Sequence, residues 1–236
     1  MSESAPPSSA SAGRATRRTF FPHEEWPIAI PGAMRLGRFV WPDRPRDYVA
    51  DVLVHAAWMA LPVIAMVHFL SRPEISVPLV VYAASLMAVV IASTANNLAP
   101  LGRVRAWLSR IDRAVIYPLI AATVGAVLSA GGLTTYRAAV LAAVWVAAGV
   151  GVVLKLGFPG RFHKVGIGLY LGLGWVAVIG IAGVVPALGP WGLTLLGVGG
   201  LLYTVGVPVY LNDAMPFRAA IWHTLCLAAG ACHLAA

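Results

Sequence analysis

Six polar side chains are conspicuous because almost everything around them is apolar. Asp51, His55, Ser93, Asn97, Asp112 and His223 each lie within, or at the end of, a long hydrophobic run. Polar groups at such depth are costly unless paired, so they are functional candidates by default. Carboxylates and imidazoles ligate metals or move protons, while hydroxyls and amides hold ligands by hydrogen bonding. Each position also has a plain structural role. Ser93 can bond back to the carbonyl of Val89, and Asn97 can cap the exit of its helix. Asp112, read as the start of a helix, suits the macrodipole and lies near Arg110 and Arg113. His55 and His223 can pack as polar residues bonded to neighbouring helices.

The elements that must carry these residues are membrane helices. Of 236 residues, 59% are hydrophobic and 11% charged, where a soluble domain has about 25% charged residues. Apolar runs of bilayer length follow one another from Tyr48 onward. They predict spans over 48–70, 76–97, 112–130, 136–157, 165–186, 189–210 and 217–235, which is an all-α, seven-helix bundle. No alternating ten-residue strands suggest a barrel. The breaks are expected at Ser71–Glu74, the basic stretch from Pro100 to Arg113, Gly131-Gly132, Phe158–Lys164, Pro186–Pro190 and Asn212–Phe217. Gly168 with Gly172, and Gly125 with Ser129, have the four-residue spacing that lets helices approach closely. Cys226 and Cys232, six apart on one helix, are not placed for a mutual disulfide.

Residues 1–47 form a separate basic tail. Its first part is rich in Ser, Ala, Pro and Arg and is expected to be disordered. It has no apolar core of a secretory signal. Phe20, Phe21, Trp26 and Trp41 then mix with prolines and arginines in a juxtamembrane linker. Of 17 lysines and arginines, all but Arg72 and Arg137 flank one side of the bundle. The positive-inside rule therefore places the N-terminus in the cytoplasm and the C-terminus outside. The net charge of +8 then reflects topology and anionic lipid, and no nucleic-acid partner is expected. With that orientation the six polar residues fall near one cytoplasmic depth, whereas His68 and His233 fall toward the other face.

The motifs Ser93-Thr94-Ala95-Asn96-Asn97, Ile111–Tyr117 and Ile120-Ala121 resemble the hemolysin III family of the progestin and adipoQ receptor superfamily. Leu169-Tyr170, Gly174-Trp175, Gly199–Tyr203, Gly206, Tyr210 and Ile221-Trp222-His223 extend the resemblance over about residues 48–235. It implies a zinc ion held by three histidines, one closing Ser-x-x-x-His and two in His-x-x-x-His, with an accompanying Asp. Here Ser93, Asp112, His55 and His223 match. Asn97 and Ala219 replace the other two histidines. Tyr48 stands where the family has an acid, and Asp51 where it has an asparagine.

With two ligands replaced, the expectation is no metal cofactor. A rebuilt zinc site of His223, Asp112 and Cys226 is the alternative, Cys226 lying one turn past His223. The functional expectation is a non-catalytic multi-pass protein of the cell membrane. Its cytoplasm-facing polar pocket would bind a lipid or small lipid-like ligand. The runners-up are a zinc-dependent membrane hydrolase of lipid amides, as the superfamily implies, and a pore or cytolytic factor, as the family name implies. A pore needs a polar path, and no acid lies near the middle of any span. The seventh span has no lysine for a retinal Schiff base.

Overall fold

The computed structural model describes residues 34–36, 39–41, 44–158, 161–212 and 214–236. Most of the tail lies outside these residues, and so does the expectation that it is disordered. Within the juxtamembrane stretch, β1 (Met34–Leu36) pairs antiparallel with β2 (Phe39–Trp41), Met34 opposite Trp41.

Nine α-helices follow among the described residues, and proline explains why seven spans give nine. The first span is α1 (Pro45–Trp58) and α2 (Ala60–Leu70). Pro62 has no N–H for the carbonyl of Trp58, and the ladder breaks there. The third span divides in the same way into α4 (Arg103–Ala114) and α5 (Ile116–Ala130), with Pro118 unable to bond to Ala114. The other helices are α3 (Val77–Leu98), α6 (Thr135–Gly157), α7 (His163–Gly180), α8 (Val185–Leu211) and α9 (Arg218–Ala235). Five runs have the length and hydropathy to cross a bilayer: Pro45–Leu70, Val77–Leu98, Arg103–Ala130, Thr135–Gly157 and Val185–Leu211. The 18-residue α7 and α9 complete a helical membrane bundle.

The α5 segment is its axis. Tyr117, Ala121, Val124 and Leu128 are almost fully enclosed, packed with Val144 and Ala148 of α6 and Leu173 of α7. Tyr82 and Leu86 of α3 close the other side against Leu119 and Ala122. The Tyr82 hydroxyl donates to the carbonyl of Gly230 at 2.8 Å, tying α3 to α9. Val63, Ile64 and Val67, with Val146, Val150 and Val153, point outward, as a lipid-facing surface requires.

Three local expectations need correction. The basic stretch from Pro100 to Arg113 is helix from Arg103 onward. Val104, Trp107 and Ile111 make an exposed apolar stripe at i, i+3 and i+7. The guanidinium of Arg110 covers Trp107 at 4.6 Å. Asp112 therefore lies in the last turn of α4, not at a helix start, so the macrodipole reading fails. Next, the break expected at Pro186–Pro190 is present as a kink at Gly189, whose φ of 63° precedes Pro190 and suits glycine, but it is preceded by a further break, a 3-10 turn at Ile181–Gly183. Finally, Gly168 and Gly172 face open space within the chain. The close approaches are elsewhere: a Cβ on Gly151 or Gly199 would overlap the ring of Tyr117 or His233. Cys226 and Cys232 are free thiols.

Candidate functional site

Four helices bring their polar residues to one end of the bundle. Asp51 and His55 are four apart on the inner face of α1, and both are buried. Ser93 and Asn97 occupy the last turns of α3. His223 is in the second turn of α9, which packs along α1. Arg105, Arg113, Lys155 and Arg218 lie at the same end, whereas Arg72 and Arg137 lie at the other.

Asp51 is the hub. One carboxylate oxygen, Oδ1, stands 2.6 Å from Nδ1 of His223. The other, Oδ2, accepts from the side-chain amide of Asn97. The main-chain carbonyl of Asp51 accepts from Nδ1 of His55 at 2.8 Å, and that ring meets His223 edge-on with centroids 4.5 Å apart. Because a carboxylate only accepts, Nδ1 of His223 carries its proton. In the neutral imidazole Nε2 is then the acceptor, and the Ser93 hydroxyl stands 3.1 Å from it.

The neighbours of Ser93 show that this is a choice of rotamer. Ser85 and Thr94, on the same helix, donate back to the carbonyls four residues earlier. Ser93 turns to α9 instead, so the back-bonded reading does not describe it. Asn97 likewise does not cap α3. Arg105 reaches from α4 to the carbonyls of Ala99, at 2.6 Å, and Asn97, at 3.4 Å, and satisfies that helix end.

Five of the six candidates thus form one network. Asp112 joins at its edge. Its Oδ2 accepts from the Asn96 amide at 3.4 Å, and its carboxyl comes within hydrogen-bonding reach of Ser93 and electrostatic range of His223 and His55. Asn96, a neighbour in the same α3 turn, presents a buried Oδ1 with no hydrogen-bond partner. His68 and His233 are at the far end, where His68 pairs with Arg72 at 2.9 Å and His233 faces the carbonyl of Leu196 at 3.3 Å.

Whether zinc fits can be judged on these distances. At the two replaced positions the chain offers an amide and a methyl group. Among the described residues, Asp51, His55 and His223 have ligand atoms within 4.8 Å of one another, and Asp112 and Cys226 are not members of that group. Two imidazoles and a carboxylate are zinc donors by type. Their wiring is different. Two ligands about 2.1 Å from a tetrahedral zinc stand roughly 3.4 Å apart, whereas Nδ1 of His223 and Oδ1 of Asp51 are at hydrogen-bond distance. Nε2 of His223 faces the Ser93 hydroxyl. In this geometry the residues form a hydrogen-bonded relay and do not fit a zinc cage.

The pairing across helices separates what sequence spacing shows from what it hides. Asp51 with His55 is an i, i+4 pair and legible. The bonds of His223 to Ser93 and Asp51 join residues 130 and 172 positions apart, with no local signal. A family model described as haemolysin-III related matches residues 49–234, which is nearly all of the helical bundle. The chain belongs to that family.

Proposed function

From membership of the haemolysin-III related family, we propose that this protein binds the polar end of a lipid or small lipid-like molecule at its Asp51–His223 pocket. It does so in the cell membrane with the pocket facing the cytoplasm, and without the zinc-dependent hydrolysis associated with the wider superfamily. What the distances argue against is the metal route, which narrows the expectation of a non-catalytic protein. The observation that carries the binding reading is the buried, unpartnered Oδ1 of Asn96 beside Asp112. A buried acceptor without a partner costs about 1–3 kcal/mol, and a ligand donor or a water at that point removes the penalty. The cytoplasmic orientation is supported by the basic residues that share this end of the bundle.

Native mass spectrometry of the detergent-solubilised protein tests this. The protein should carry one lipid-sized or smaller adduct per chain, and Asn96→Leu should reduce its occupancy at least about tenfold. An adduct indifferent to Asn96→Leu, or no adduct, contradicts the reading.

A further inference from the structure

We infer that Ser93, His223 and Asp51 form a metal-independent acyl-transfer triad, with Ser93 as nucleophile. The inference rests on the proposed pocket taking in a lipid-like molecule, and it specifies that molecule as a carboxylic ester or amide with an acyl chain in the bilayer.

The support is the order and direction of three bonds. An activated hydroxyl needs a base within hydrogen-bonding reach, and the base needs a third group that fixes its tautomer. The Ser93 hydroxyl stands 3.1 Å from Nε2 of His223, with the Asp112 carboxyl also within its reach, and Nδ1 of the same ring faces Oδ1 of Asp51 at 2.6 Å. The acid is itself held, because Asn97 donates to its second oxygen. The base is braced by the His55 ring at 4.5 Å. Each member comes from a different helix, so the arrangement is not a by-product of one helix's periodicity. Ser93 also forgoes the main-chain carbonyl that satisfies Ser85 and Thr94.

The chemistry balances without a metal. The Ser93 oxygen attacks the carbonyl carbon while its proton passes to Nε2 of His223, and Asp51 stabilises the resulting imidazolium. The bond to the alcohol or amine breaks, and the leaving group takes the proton from Nε2. Water then attacks the acyl-serine, its proton passing through Nε2 to the departing Ser93 oxygen, which releases a carboxylic acid. The acyl carbon approaches along His223, the more open edge of the relay, whose side chain is 17% exposed against 6% for Asp51.

An alkyl fluorophosphonate probe reads the nucleophile directly, since attack by a serine oxygen expels fluoride and leaves a stable adduct. Intact-mass analysis of the solubilised wild-type protein, in the presence of a chelator, should show one adduct per chain, mapped to Ser93. Ser93→Ala should abolish it. Asp51→Asn should lower the maximal labelling rate at least about 100-fold and leave the probe concentration at half-maximal rate unchanged, as expected of a positioning residue. Adduct on another residue, or labelling abolished by the chelator, overturns the triad. No adduct on a protein that still carries its native lipid overturns the triad and leaves the binding reading standing. Labelling of Ser93 in a protein with no native lipid supports the triad and overturns the binding reading.

Discussion

Replacing Asp51 tests the wiring of the site through stability. Its carboxylate is 6% exposed and accepts from His223 and from Asn97. Asp51→Ala leaves both donors buried without an acceptor. A hydrogen bond to a charged acceptor is worth about 1.5–3 kcal/mol, so losing both costs about 3–6 kcal/mol in all. Asp51→Asn keeps the volume and one acceptor oxygen, but turns an amide toward one of the two donors, so about 1–3 kcal/mol is expected. A domain of this size loses about 2–4 °C of melting temperature per kcal/mol. Asn should therefore lower the melt by about 2–12 °C and Ala by about 6–24 °C. Thermal unfolding in detergent, followed by intrinsic tryptophan fluorescence, reads both. Glu74→Ala, at an exposed acid at the opposite end of the bundle, should be silent. If Asp51→Ala melts with the wild type, the carboxylate is not the hub and the network is wrongly drawn.

Other perturbations follow from the same geometry. Gly151→Ala places a methyl group against the ring of Tyr117, which is fully buried in the core. It should cost about 1–3 kcal/mol, whereas Gly168→Ala, facing open space, should not destabilise, as thermal unfolding of the two variants will show. A reporter fused at Ala236 should be external and one near Gly13 cytoplasmic; an internal C-terminus reverses the proposed facing of the pocket. Asn97→His with Ala219→His should create zinc binding measurable by isothermal titration, because both positions adjoin the Asp51–His223 pair.

The sequence carried the bundle well and its joints less well. Apolar runs announce the spans because the bilayer demands them, and the proline-linked breaks at Met59 and Val115 leave the runs intact. The helix α4 was hidden by its arginines, although Val104, Trp107 and Ile111 already have helical spacing. Glycine spacing misled. Gly168 and Gly172 have the motif, yet a Cβ on either would meet no atom of the chain within 4 Å, while Gly151, Gly166 and Gly199 receive Tyr117, Lys155 and His233. Close approach depends on which ring the neighbouring helix presents, and that is a tertiary fact. In the site, the polar residues were visible as exceptions in apolar surroundings. Their roles were not, because Ser93 and Asp51 meet only through His223, from three separate helices.

Asp51, Ser93 and His223 form a hydrogen-bonded relay where the family resemblance implies a zinc ion. Elemental analysis of the protein, purified in detergent without chelators, measures the metal content of this site directly. Well under one zinc per chain is expected. Stoichiometric zinc would contradict the relay, place the metal on Asp51, His55 and His223, and return metal-dependent hydrolysis to first place.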